Sequence, residues 1–148
     1  LAAKLGMLFS DDETNTFRLI FESFGYKRGV PFEADMVFDM RFLPNPFYEP
    51  ALRTLSGADE AVLEYMLQDP AFLSFLEQTE TLLRLLIPGF RRQGKRRLLV
   101  AFGCTGGRHR SVCAAEQMAK RMRLDFDVKL VHRDTTLEAN DIRSRLGT

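Results

Sequence analysis

Cysteine is scarce in this chain, and no hydrophobic run is long. Only Cys104 and Cys113 occur among 148 residues, too few for a disulfide-stapled scaffold. Neither has companions at the spacing of a structural zinc site. No apolar stretch approaches the roughly 20 residues of a membrane-spanning helix, and residues 1–10 lack the pattern of a secretory signal. A reducing cytoplasm is the expected compartment, with no membrane partner. Charge of one sign is not in excess either. The 21 Lys and Arg against 20 Asp and Glu leave a net +1, so the overall balance announces no polyanionic partner. Internal repeats are absent.

What is present is an ordinary globular composition, 45% hydrophobic and 28% charged, long enough for one domain with its own core. Residues 1–15 end in a polar stretch and read as a linker or tail. Residues 16–134 read as the folded unit, and residues 135–148 as a charged, poorly patterned tail. Alternation places Phe17, Leu19 and Phe21 on one face of a strand over residues 16–24. A second strand is expected over 34–40, followed by the proline-rich segment Pro44-Asn45-Pro46, which excludes regular structure. Asn45 is expected to bond the backbone of that loop. Residues 59–67 read as a helix. Asp69-Pro70 is an N-cap and first-turn signal for a second one, whose apolar stripe runs from Phe72 to Leu86 until Pro88-Gly89 ends or disturbs it. Residues 97–103 are apolar on both faces, as in the centre of a parallel sheet. A helix over 107–122 and a strand over 126–131 follow. This order implies an α/β fold, a mostly parallel sheet of about four strands flanked by helices.

The segment Gly103-Cys104-Thr105-Gly106-Gly107-Arg108-His109-Arg110-Ser111 joins a buried strand to a helix. Such a turn aims backbone N–H groups and a helix N-terminus at one spot, a geometry suited to a phosphate or another compact anion. It is not a Walker A loop, because His109-Arg110-Ser111 stands where Gly-Lys-Ser/Thr is needed. Cys104, Gly107, Arg110 and Ser111 do fit the cysteine phosphatase pattern. Cys104 would then be the nucleophile, Arg110 the phosphate clamp, Ser111 an aid to the leaving thiolate, and Asp39 or Asp134 the general acid. Gly103 departs from that pattern, where a histidine is usual. The loop is therefore fit either to hold a phosphate or to attack one. Elsewhere, Arg91, Arg92, Lys95, Arg96 and Arg97 form the densest basic run. It suits RNA phosphates or a solvated turn at a helix C-terminus, and Arg133 is a further candidate for RNA.

Three segments in order carry a longer resemblance: Phe24-Gly25-Tyr26-Lys27-Arg28-Gly29-Val30-Pro31, Asp35-Met36-Val37-Phe38-Asp39-Met40-Arg41-Phe42-Leu43-Pro44-Asn45-Pro46, and the loop from Gly103 to Val112. Together they resemble the C-terminal domain of the RapZ/YvcJ family over about residues 17–134. The resemblance implies a phosphofructokinase-like sugar-phosphate subdomain that senses glucosamine-6-phosphate or a similar phosphorylated amino sugar. It places Asp39, Thr105, Gly106, Gly107, Arg108, His109, Arg110 and Ser111 around the ligand, with Cys104 on the wall. It also implies small regulatory RNA and an endoribonuclease as partners, a homo-oligomer, and an N-terminal P-loop domain, not carried here, that binds and hydrolyses ATP or GTP. No cofactor or metal is expected in the present domain. One departure stands out. The enterobacterial domain has a histidine after Asn-Pro, and this chain has Phe47.

Overall fold

The computed structural model describes residues 16–146. Strand β1 (Arg18–Gly25) leads through a short 3-10 turn to β2 (Met36–Asp39). A second 3-10 turn, Pro46–Tyr48, precedes α1 (Glu60–Leu67) and the long α2 (Pro70–Arg92). Then come β3 (Arg97–Cys104), α3 (Arg110–Met122), β4 (Asp127–His132) and α4 (Thr135–Arg145). The sheet is four-stranded in the order β2-β3-β1-β4, and every pairing is parallel. The α/β expectation and the strand count are therefore met.

Alternation decides which side chains meet the helices. Phe17, just before β1, and Leu19 and Phe21 of β1 share the core with Leu98, Val100 and Phe102 of β3, and with Met118, Ala119 and Met122 of α3. Phe21, Phe38 and Phe75 each contact the ring of Phe102, at centroid distances of 5.9, 5.8 and 6.2 Å. Residues on the other face of the central strands, such as Phe24 and Ala101, are buried as well. That is why β3 reads as continuously apolar rather than alternating.

Asp69 caps α2 as its sequence suggests, its carboxylate accepting from Ala71 N–H at 2.9 Å, with Pro70 in the first turn. Two expectations need correction. Pro88 does not end α2, which continues to Arg92. A proline inside a helix costs a hydrogen bond and a steric clash, about 3 kcal/mol. Here the stripe of Phe72, Leu76, Leu83 and Ile87 is buried along the helix, and that packing outweighs the local cost. The second correction concerns residues 135–148, read as a tail. Thr135–Arg145 is helical and buries Glu138 and Ile142. A helix fastened by one apolar residue and one buried acid leaves no periodic apolar signal for a sequence reading to detect.

Candidate functional site

Because all four strands run the same way, their C-terminal ends share one edge of the sheet. Gly25, Asp39, Cys104 and His132 end their strands there, and ligands of open α/β sheets bind beyond that edge. The loop between β3 and α3 is shaped by close backbone approaches. Gly107 has φ of 85°, and a Cβ on it would lie 2.6 Å from the Gly25 nitrogen. Gly25 in turn presses on Gly106, where its own Cβ would be 2.4 Å from a backbone carbon. Asp134, just past β4, fixes this contact by accepting the Gly25 N–H at 2.7 Å. On the other side Gly57 N–H donates to the Arg108 carbonyl at 2.8 Å. His109 reaches the Leu52 carbonyl from Nε2 at 3.2 Å, as a donor. Burial holds the His109 pKa below its usual value, so the ring is a neutral tether for residues 52–57 and not a charge for a ligand.

The loop borders a cleft of about 180 Å³, lined among others by Lys27, Phe47, Thr105, Gly106, Arg108, Arg110 and Glu138. Arg110 is only 6% exposed. Its Nη1 donates to the Leu43 carbonyl at 3.0 Å and its Nη2 to Thr105 Oγ1 at 3.4 Å, but its buried Nε has no partner. Among the described residues no carboxylate forms an ion pair with Arg110 or Arg108. A buried guanidinium without a counter-ion is costly unless something anionic joins it. It stands at the first turn of α3, whose N-terminus has no side-chain cap and carries partial positive charge.

Cys104 is buried, and its Sγ is engaged by Ser111, accepting from the backbone N–H at 3.4 Å and donating to Oγ at 3.1 Å. Neither aspartate considered as a general acid lines the cleft, though Asp39 feels the charge of Arg110. Asp39 is off the cleft lining and holds the Arg41 side chain with bonds of 2.9 and 2.7 Å. That pairing keeps its carboxyl below the usual carboxylate range. Asp134 is buried against Gly25 and Arg133. Gly107 and Ser111 support the loop from beneath and do not line the cleft.

The basic residues do not form one surface. Arg91 and Arg92 end α2, and Arg97 begins β3, at the pole of the sheet opposite the cleft. Arg133 follows β4 at the cleft pole and donates to the Gly29 carbonyl at 2.6 Å. Glu138, Arg145 and Lys27, which sequence reasoning did not place at the site, complete the cleft together with Phe47. Glu138 binds Lys27 at 2.7 Å, Arg28 at 3.1 Å and Arg145 at 3.3 Å. A Cβ on Gly106 would meet its carboxylate at 2.2 Å. Phe47 lies between the guanidinium groups of Arg53 and Arg145, each 5.1 Å from its centroid. Of the three unplaced residues, Lys27 alone stood in a quoted segment, Tyr26-Lys27-Arg28.

A family model described as the RapZ C-terminal domain matches residues 17–136. The chain belongs to the RapZ C-terminal domain family. It is 45% identical over 134 residues to a protein of Bacillus cytotoxicus named "nucleotide-binding protein", an overlap of 90% of this chain and 46% of that one. Proteins of the same name from Bacillus mycoides and Bacillus cereus are 43% identical over the same lengths. The chain thus spans about half the length of the curated relatives it matches. Among the described residues no helix is long and apolar enough to cross a membrane, and no cluster of His, Cys, Asp and Glu is arranged for a metal ion.

Proposed function

We propose that this domain is the regulatory ligand-binding part of a nucleotide-binding protein, and that its cleft receives a small phosphorylated metabolite, an amino-sugar phosphate such as glucosamine-6-phosphate. One observation carries the reading: Arg110 is buried at a helix N-terminus with its Nε unpartnered and no carboxylate paired to it. A phosphate oxygen there would supply the missing acceptor and the counter-charge together. Thr105 Oγ1 and the loop backbone would orient the phosphate, while Phe47 would give the sugar an apolar wall in place of a histidine. The family resemblance adds small RNA and an endoribonuclease as partners, a homo-oligomeric assembly, and ATP or GTP bound by another part of the full protein. The basic pole of Arg91, Arg92, Lys95, Arg96 and Arg97 would be the RNA surface, distant from the metabolite.

A phosphatase is the weaker reading, because neither aspartate considered as its general acid lines the cleft. Calorimetry with glucosamine-6-phosphate tests the proposal. A charge-assisted contact is worth roughly 1.5–3 kcal/mol, so Arg110→Ala should weaken binding by about 10- to 150-fold. Equal affinity of the two proteins would refute the role given to Arg110.

A further inference from the structure

One anion of the cleft belongs to the protein itself. Among the described residues that line the cleft, Glu138 is the only acid, against the cations Lys27, Arg108, Arg110 and Arg145. Its carboxylate rests on the anion loop, so close that a Cβ on Gly106 would meet Oε2 at 2.2 Å. Oε1 accepts from Lys27 Nζ at 2.7 Å and from Arg28 Nη1 at 3.1 Å, and Oε2 pairs with Arg145 Nη2 at 3.3 Å. Arg28 Nη1 also reaches the Gly106 carbonyl at 3.4 Å, so one guanidinium joins the acid to the loop. The Glu138 side chain is only 7% exposed. A carboxylate buried that far is tolerated because cations surround it, as they would surround a bound phosphate.

The same contacts fasten α4. Its buried residues are Glu138 and Ile142, and the half-exposed Asp141 adds pairs with Lys27 at 3.2 Å and Arg28 at 2.6 Å. No side chain caps its N-terminus. An apolar stripe would hold a helix in place whatever the cleft contains. An ionic clasp does not. Lys27 and Arg145 line the cleft and are partly open to solvent, so a phosphate entering at Arg110 competes for them with Glu138.

We propose that Glu138 is an internal competitor for the anion site, an autoinhibitory contact that a phosphate group displaces. Without ligand, its carboxylate holds Lys27 and Arg145 and keeps α4 docked on the loop. A phosphate at Arg110 draws those two cations away, leaves the buried carboxylate with Arg28, and loosens α4. The coupling is reciprocal: phosphate weakens the docking of α4 by the same factor that undocking strengthens phosphate binding. The inference rests on the anion-binding role given to Arg110 and adds to it a way of turning ligand charge into release of a helix.

Titration of this chain with sodium phosphate at constant ionic strength tests it. Amide NMR shifts at Thr105 and Gly106 report the affinity, and hydrogen exchange at Ala139 and Ile142 reports the docking of α4. Exchange at Ala139 and Ile142 should be at least about fivefold faster at saturating phosphate, and Glu138→Gln, which keeps the shape but not the charge, should bind phosphate at least about fivefold more tightly. Asp125→Asn removes one negative charge before β4, at the opposite pole of the sheet, and should change the affinity by less than about twofold. Binding seen only in Glu138→Gln supports the competitor. Exchange that phosphate leaves unchanged or slows overturns it. So does a Glu138→Gln affinity no better than wild type, or one matched by Asp125→Asn. The exchange measurement needs no variant, so it decides the case if Glu138→Gln does not fold. Shifts at Thr105 and Gly106 without any change in exchange refute this inference alone. No shift at those residues in either protein refutes the role of Arg110, and the inference falls with it.

Discussion

Asp134→Asn is the substitution that tests how the loop is held. The carboxylate is buried, with Oδ2 accepting from Gly25 N–H at 2.7 Å and from Arg133 at 2.8 Å, and Oδ1 accepting from Arg133 Nε at 2.9 Å. Asparagine keeps one acceptor and turns an NH2 toward a donor. A hydrogen bond to a charged group contributes about 1.5–3 kcal/mol. The Arg133 pair adds at most about 1 kcal/mol, because that guanidinium is partly exposed and screened. The expected loss is about 2–3 kcal/mol near neutral pH, or roughly 10 °C in Tm for a domain of this size. Urea titration followed by far-UV circular dichroism measures it; the chain has no tryptophan to report by fluorescence. The pH dependence has a definite sign. Burial alone would push the Asp134 carboxyl up, but Arg133 and the Gly25 N–H outweigh it and hold the folded value below the usual range. The stabilisation is therefore fully present above the unfolded value near pH 3.9 and is lost as pH falls through the folded value. The gap between wild type and Asp134→Asn should close in acid. A variant within about 0.5 kcal/mol of wild type at neutral pH, or a gap that stays constant into acid, refutes the reasoning. Since Asp134 holds Gly25 against Gly106, the same variant should also bind phosphate more weakly at the Arg110 cleft.

Gly107→Ala places a Cβ 2.6 Å from the Gly25 nitrogen at a φ of 85°. Left-handed backbone and overpacking each cost roughly 1–3 kcal/mol, so urea titration should show a loss of about 2–4 kcal/mol, and a near-neutral result would mean the loop relaxes freely. Cys113 is buried, and burial pushes its thiol up to about 12. In a Cys104→Ser background the folded protein should not react with Ellman's reagent at about pH 8, where an exposed thiol would react readily, and one thiol should appear on unfolding. Prompt reaction of the folded protein would contradict that burial.

The sheet was legible because its signals are local. Leu98 to Phe102 is too apolar for an exposed strand, and Cys104-Thr105-Gly106-Gly107 can only be a tight turn before a helix. From these followed a mostly parallel sheet, without its strand order, and the position of Thr105 and Arg110 in the strand-to-helix loop. Pro88 misled because a local penalty was weighed without the buried stripe that offsets it. Glu138 and Arg145 were invisible for a different reason. Glu138 meets Arg28 across 110 residues of sequence, and a buried acid in a charged segment looks like any exposed one until its partners are seen. Asp39 ends its strand near the loop, but that does not settle where its carboxylate turns, and it pairs with Arg41. Arg41, two residues on, offers a bidentate partner at shorter range.

The same competition for partners separates the two chemical readings of the loop. A nucleophilic cysteine needs its sulfur open to the anion and an acid opposite it. Here the Ser111 N–H donates to the Cys104 sulfur, which donates to the Ser111 hydroxyl, and the sulfur lines the cleft, but neither candidate aspartate does. Arg110 shows the opposite imbalance: three acceptors from Arg41, Leu43 and Thr105 surround its Nη atoms, none of them charged, and Nε faces nothing. Neutral acceptors fix the orientation of a guanidinium without cancelling its charge. Arg110 is therefore preorganised for an incoming anion, with the Cys104 sulfur on the wall of the same cleft and neither candidate aspartate lining it to protonate a leaving group, which supports the proposed binding role.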